Sequence, residues 1–395
     1  MKVLYVAPDF PNNNSCAAHV RANQLLPILA KKVDLYVFGY SNISVNETKN
    51  YEFKFKFIRP GKLNIQSMLS KKPRAFFRYA YKEAENLFCD MVEEIQPDVI
   101  HFDSIATFGL FSRIPRAALK NQPKTIFHSH DSVTRLYTNQ FLGETNIIRR
   151  FDLWLQLLKI KQVEKNLYPL ADLCIVDSHE DVSFLKNLTH DINVSVLPLG
   201  FDDSEYCKDG SNAALKNPNI VFSGAMSSAQ SIDAASYLCQ EIMPKVWEKK
   251  PETNVYLVGG NPAKQISELK KINPRIHVTG FVDSLASYLR GADVYVCPLR
   301  LGSGMRTRVV EALACGCSVV ATPDAVVGLK KIESEAPWLL ADSTSKFAEN
   351  IISLLGNEKK RVELGCRAAI YATSNYSWNN VTGMLHAVYN DLIKK

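Results

Sequence analysis

The sequence predicts an α/β protein made of two Rossmann-like, doubly wound parallel-sheet domains facing a cleft. Three observations carry this expectation. Short β-branched or aromatic runs alternate with longer helical patterns, the rhythm restarts after residue 218, and a polar, glycine-bearing stretch separates the two series. Strand, helix, strand in repetition builds parallel sheets, because parallel neighbours need a long crossover and a helix supplies it. A chain of 395 residues also exceeds one ordinary core and suits two domains.

In the first series the strand candidates are Val3-Leu4-Tyr5-Val6, Leu35-Tyr36-Val37-Phe38, Val99-Ile100-His101-Phe102, Thr125-Ile126-Phe127-His128 and Leu173-Cys174-Ile175-Val176. Helical patterns such as 17–31 and 147–170 lie between them. The opening run Met1 to Pro8, apolar with one Lys, is too short for a signal peptide and is read as a buried strand. The second series is Asn219-Ile220-Val221-Phe222, Val255-Tyr256-Leu257-Val258, Ile276-His277-Val278, Val294-Tyr295-Val296-Cys297 and Ser318-Val319-Val320-Ala321. Lys208-Asp209-Gly210-Ser211-Asn212-Ala213-Ala214 is the best linker, giving domains at 1–207 and 219–374 joined by 208–218. In open α/β sheets ligands bind beyond the carboxyl ends of the strands, so function is expected in the strand-to-helix loops.

Composition narrows the classes. Apolar residues make up 46% and charged residues 22%, an ordinary globular mixture, and no apolar run approaches the roughly 20 residues that span a bilayer. The nine cysteines form no C-x-x-C pair, and no His or Cys pair completes a finger around Cys315 and Cys317. They read as reduced cytosolic thiols, mostly buried, and no metal site is expected. A net charge of +7 admits nucleic acid, an anionic membrane surface or an anionic substrate and decides nothing alone. The basic, aromatic stretch Lys71 to Lys82 is open to three readings: a helix with a solvated face, which is favoured, a membrane-surface patch, or a nucleic-acid patch. No recognised nucleic-acid motif supports the last.

The most informative segment runs from Cys297 to Thr322. A strand ends near Pro298, the loop Gly302-Ser303-Gly304 follows, and a helix is expected from about Met305 to a glycine cap at Gly316. Arg306 and Arg308 fall in its first turn, where the helix dipole already places positive potential. An anion reverses that repulsion. Free backbone N–H groups, a loop without side chains and guanidinium forks together suit a phosphate. Glu311, on the same face as Arg308, can orient it or accept hydrogen bonds from ribose hydroxyls. The bland alternative is a solvated helix start with an Arg308–Glu311 surface pair.

Gly302 through Gly316, then Ser318-Val319-Val320-Ala321-Thr322 and Gly328-Leu329, resembles the C-terminal signature of family 4 glycosyltransferases of the GT-B fold. The resemblance implies that the loop and helix start (Gly302, Ser303, Gly304, Met305, Arg306, Thr307, Arg308) take a donor diphosphate, with Glu311 on the ribose. Many members carry a Glu where this chain has Ser303, which leaves the choice of donor sugar open. Val221-Phe222-Ser223-Gly224-Ala225-Met226 resembles the family's donor-side glycine turn, and Val278-Thr279-Gly280-Phe281-Val282 its base-binding strand end. Ser227, Ser228 and Gln230 stand where many relatives carry Arg and Lys, so Arg306 and Arg308 are expected to supply most of the positive charge. Thr125 to Asp131 resembles a strand ending in His-Asp near the sugar, with His130-Asp131 aligned first and His128 second. His19 and Arg21 open the helix after the first strand, where they could meet acceptor or phosphate. Ser377-Trp378 and the helical stretch after it resemble the final helix, 375–395, that returns to the first domain.

The resemblance therefore implies a retaining glycosyltransferase with an acceptor-binding first domain and a donor-binding second one. Its partners are a nucleotide sugar and a glycan or lipid-linked acceptor, in cell-envelope polysaccharide or glycolipid assembly. No Asp-x-Asp is present to hold a metal, so neither metal nor other cofactor is expected beyond the donor substrate. A monomer or weak homodimer in the cytoplasm, with peripheral contact to an anionic membrane face, completes the expectation. A nucleotide-sugar epimerase of the same fold and a non-catalytic sugar-nucleotide binder are the alternatives.

Overall fold

A computed structural model describes residues 1–8, 10, 17–41, 51–62, 73–129, 133–189, 191–301, 306–329 and 336–394. The chain divides into two compact units, Met1–Pro198 with Val381–Lys395, and Leu199–Asn380. Each unit holds one all-parallel sheet.

The first unit contains β1 (Lys2–Ala7), β2 (Asp34–Tyr40), β3 (Lys54–Ile58), β4 (Val99–Phe102), β5 (Lys124–Ser129), β6 (Leu173–Val176) and β7 (Val194–Val196). Their order is β3-β2-β1-β4-β5-β6-β7. The second contains β8 (Asn219–Ser223), β9 (Asn254–Val258), β10 (Ile276–Gly280), β11 (Val294–Cys297), β12 (Val319–Ala321) and β13 (Leu339–Leu340), ordered β10-β9-β8-β11-β12-β13. Both are doubly wound, with the order reversing beside the first strand of each sheet. Interior strands such as β4, β6, β8 and β11 are buried along their whole length, as strands covered on both faces must be. Of the four edge strands only β10 was read from the sequence. β3, with the charge-alternating Lys-Phe-Lys-Phe-Ile, and β7 are only half-buried, and β13 has two residues.

Each unit has its own core. Phe38, Phe88, Phe102 and Phe127 meet in the first, and Phe222, Leu257, Val296, Leu313 and Phe347 in the second. Phe201 is buried in the second core, and Arg290 donates to the carbonyls of Glu205, Cys207 and Ser211. The polar stretch read as a linker thus packs with the second unit. The final helix, Trp378–Lys394, begins there with Trp378 buried and belongs to the first unit from Val381 onward. In the stretch Lys71 to Lys82, Phe76 and Tyr79 are buried in the first core and the Tyr81 hydroxyl donates to the Arg59 carbonyl. Those aromatics hold the fold together. The described cysteines are all unpaired, and five of them, Cys174, Cys239, Cys297, Cys315 and Cys317, are buried.

Candidate functional site

The helix Thr307–Ala314 follows β11, next to the carboxyl end of β8. Val309, Val310, Ala312 and Leu313 are buried, at about 1.5–3 kcal/mol for each full-sized apolar side chain, which fixes the helix rotation. It ends where the sequence places its cap. Gly316 adopts φ 74°, its N–H donates to the Leu313 carbonyl and the Cys317 N–H to that of Ala312, the paired bonds of a Schellman motif. The loop before the helix is pinned at its base by Arg300, which grips the Asp233 carboxylate through Nε and Nη2 at 3.2 and 2.7 Å.

The helix starts later than expected. Arg306 is its N-cap residue rather than part of the first turn. Its side chain is buried and Nη2 donates to the Leu301 carbonyl at 3.3 Å, so it braces the loop. Arg308 is partly accessible. Its Nη1 donates to the Ser223 carbonyl at 3.2 Å and to Ser231 Oγ at 3.3 Å, placing the guanidinium at the end of β8. A Cβ on Gly224 would collide with Arg308 Nη1, so only glycine lets the guanidinium lie there. Ser223 itself is buried, with its hydroxyl 3.1 Å from the Tyr295 hydroxyl. Its carbonyl, not its side chain, serves the site.

Glu311 lies one turn beyond Arg308 and is half-buried. Burial pushes its carboxyl up to about 7, against the partial relief of Arg308 and with a further push from Glu205. Arg308 turns toward Ser223 and Ser231 rather than pairing closely with it. The surface ion pair considered from sequence is therefore not what this helix start builds. Thr307 is the first helical residue and half-buried. Phe281, just beyond β10, is 81% exposed and lies over Gly260, while Val282 packs against the core. The loop residues Gly302, Ser303, Gly304 and Met305, and His130 and Asp131 after β5, lie outside the described residues.

Sequence reasoning missed part of this site. Gly259 and Gly260 end β9 in register with Gly224, whose N–H donates to the Val258 carbonyl; a Cβ on Gly259 would collide with the Gly224 carbonyl. With Gly280 at φ 72°, three adjacent strands end in bare backbone. The Gly-Gly after a strand was the available signal. Ser231 and Tyr295 gave none, because only tertiary contacts bring them to Arg308 and Ser223.

A second polar group fills the sheet end of the first unit. Arg21, from the helix Ala17–Ala30, is fully buried; its Nη2 bonds Asp177 Oδ1 at 2.7 Å and its Nη1 lies 2.6 Å from His128 Nε2. His128 Nε2 is also 3.1 Å from Asp177 Oδ1. His101 Nδ1 is 2.7 Å from the Tyr389 hydroxyl, and Asp103 raises both Tyr5 and Tyr389 above the ordinary phenol range after burial has done most of that. Arg21, expected to reach acceptor or phosphate, is thus spent inside the unit, and His128 with it. His101, Asp103 and His128 offer ligand atoms within 4.8 Å of one another, the one such set among the described residues. The Tyr389 hydroxyl already engages His101 and the Arg21 guanidinium already faces His128, so this donor set fits internal hydrogen bonding better than a cation.

Residues 217–357 match the family model described as glycosyl transferases group 1. An uncharacterized glycosyltransferase of Methanocaldococcus jannaschii is 21% identical over 59% of this chain and 62% of its own length. The phosphatidyl-myo-inositol mannosyltransferase of Mycobacterium tuberculosis is 29% identical over 38% of this chain and 41% of its own. The alignments thus span from about two fifths to three fifths of those relatives. Among solved structures, Anabaena HepE in complex with UDP superposes with a TM-score of 0.66 at 14% identity, over 99% of this chain and 100% of that one. Sucrose-phosphate synthase of Thermosynechococcus elongatus gives 0.63 at 15% identity, over 100% and 99%. Two parallel-sheet units of this order, a glycine-rimmed strand end and a cationic helix start thus coincide with the match of residues 217–357 to the group 1 glycosyltransferases, and the whole chain has the GT-B fold of those solved structures.

Proposed function

We propose that this chain moves a sugar from a nucleoside-diphosphate sugar to a glycan or lipid-linked acceptor, with retention at the anomeric carbon and without a metal. The observation that carries this reading is Arg308, held by the Ser223 carbonyl and Ser231 at the end of β8 beside Gly224. In the reaction the bond from the anomeric carbon to the phosphate oxygen breaks, that oxygen gains charge, and an acceptor hydroxyl oxygen takes its place as the hydroxyl gives up its proton. A fixed cation beside the departing diphosphate stabilises this charge without reorganising at the moment of reaction. Arg306 holds the loop, Glu311 takes the ribose, and the exposed Phe281 ring and the backbone at Gly280 take the base. The resemblance assigns His130 and Asp131 to the sugar side. The second unit is the donor side and the first the acceptor side. Cell-envelope polysaccharide or glycolipid assembly in the cytoplasm, at the inner membrane face for a lipid-linked acceptor, is the setting this chemistry suits. Among the described residues no helix is long and apolar enough to cross a membrane, which fits peripheral contact.

The test is release of free nucleotide from sugar donors, with and without candidate acceptors and a chelator. Arg308→Ala should lower acceptor-dependent turnover by about 10²–10³-fold, as loss of one preorganised donor to a developing oxyanion does. Unchanged turnover in that variant would overturn the leaving-group assignment. Binding of a donor with no turnover across acceptors would favour a sugar-nucleotide binder, the reading that Ser303 in place of the usual Glu keeps in view.

A further inference from the structure

The helix Ile147–Leu167 has two apolar faces where a surface helix needs one. On one, Gln156, Leu157, Ile160 and Glu164 are buried. The Glu164 carboxylate receives the N–H of Val133 at 3.1 Å, the Tyr168 hydroxyl at 3.1 Å and the Thr134 hydroxyl, so the helix cannot roll. The opposite face therefore stays outward. It carries Ile147, Phe151, Trp154 and Leu158 at spacings of four, three and four, a single stripe along a helix, 83%, 59%, 42% and 47% exposed. Ile148 at 81% and Leu142 at 67% widen it. Six of the fourteen large apolar side chains exposed among the described residues thus fall within residues 142–158, which makes a patch rather than scatter. The Phe151 and Trp154 rings stack with centroids 5.8 Å apart.

Charge identifies what covers this face. The helix sequence holds Arg149, Arg150, Lys159, Lys161 and Lys165 against Asp152 and the buried Glu164. Arg149, Arg150, Lys161 and Lys165 are exposed, and Arg150 stands over the Phe141 ring at 4.8 Å. A twofold contact with a second copy would bring the same four cations together, which like-charge repulsion opposes. An anionic bilayer surface takes both halves of the face at once: stacked aromatics and isoleucines enter the headgroup boundary, and the basic side chains meet lipid phosphates.

We propose that this outward face, Leu142 to Leu158 with its flanking cations, docks the chain on an anionic membrane surface. It gives the membrane contact suggested above a location different from Lys71 to Lys82, whose Phe76 and Tyr79 are core residues. The lipid-linked acceptor of the reading above gives this docking its use, but the test needs neither donor nor turnover, so the two can fail separately. The full chain is mixed with vesicles of phosphatidylcholine, alone or in equal mixture with phosphatidylglycerol, and both sedimentation and tryptophan emission are recorded. The chain should pellet with the anionic vesicles and much less with the neutral ones, and high salt should weaken the binding. Trp154 is the exposed tryptophan, since Trp338 and Trp378 are buried and Trp247 is half-buried and bonded to the Thr253 carbonyl, so emission should shift to the blue on binding. Phe151→Ser with Trp154→Ser, and separately Arg149→Glu with Arg150→Glu, should each weaken binding about tenfold or more. Wild-type protein that neither pellets nor shifts its emission overturns the proposal. So do variants that bind as wild type, or a wild-type dimer that these substitutions dissociate.

Discussion

Both units end their central strands at the same topological position, where the order turns from β1 to β4 and from β8 to β11, yet they use that position in opposite ways. In the first unit Arg21, His128 and Asp177 satisfy one another under full or nearly full burial, and Tyr389 from the last helix closes over His101. In the second, the hydrogen bonds of Arg308 among the described residues go to a carbonyl and a hydroxyl, with bare glycine backbone around it and a half-buried carboxyl one turn away. The difference is one of satisfaction. A guanidinium whose carboxylate is supplied internally contributes to stability. One supplied with neutral acceptors keeps its charge for a ligand. Among open α/β sheets the strand order marks a place for function but does not fill it.

The largest expected effect follows from the satisfied side of this comparison. Arg21→Met leaves Asp177 and His128 without their buried partner. Breaking a buried pair from one side costs about 3–5 kcal/mol, so the first unit should unfold at a markedly lower urea concentration. Affinity of the folded protein for a nucleoside-diphosphate sugar should stay as it was. Unchanged stability with lost affinity would place Arg21 in the ligand machinery and break the comparison.

Much of this was legible in sequence where the signal is local. All ten strands read from apolar runs are present, and nine of them are interior, where parallel strands need continuous apolar residues. The Gly316 cap was legible for the same reason, its conformation being decided within a few residues. The commitment of Arg21 was not. Its partners lie 107 and 156 residues away, and nothing near Arg21 says that its charge is spent. The helix starts at Thr307, two residues later than about Met305, so Arg306 falls at the N-cap, where its side chain also reaches the Leu301 carbonyl. The outward stripe on Ile147–Leu167 was read only as helix, since an apolar period cannot say which of two faces meets the core.

A sharper test uses pH, because Glu311 titrates near neutrality. Its folded pKa of about 7 exceeds the ordinary carboxyl value of 4.5, so the folded state binds more protons than the unfolded one between them. Stability should therefore fall as pH rises through that window and level off above it. Glu311→Gln should remove this slope and be more stable than wild type at pH 8, by about 1 kcal/mol or more given the worth of a one-unit shift. Affinity for a nucleoside-diphosphate sugar, whose phosphates do not titrate near neutrality, should rise in wild type as Glu311 ionises to accept from ribose hydroxyls. A flat affinity profile in wild type would remove Glu311 from the ribose.

The smallest expected effect tests how Arg308 is held. Ser228 caps the helix Ala229–Tyr237, accepting the Ser231 N–H, and its hydroxyl donates to Ser231 Oγ, which also accepts from Arg308 Nη1. Ser228 thus positions the Ser231 hydroxyl that holds the cation. Ser231→Ala deletes one of the two acceptors while leaving the Ser223 carbonyl and the Ser228 cap in place. One hydrogen bond is worth about 1 kcal/mol, so donor affinity should weaken several-fold, with thermal stability close to wild type. The conservative Ser231→Thr should recover most of it. A loss as large as that of Arg308→Ala would mean that Ser231 meets the diphosphate itself. No loss would mean that the Ser223 carbonyl and the helix start suffice, and that the glycine rim rather than the serine sets where the cation lies.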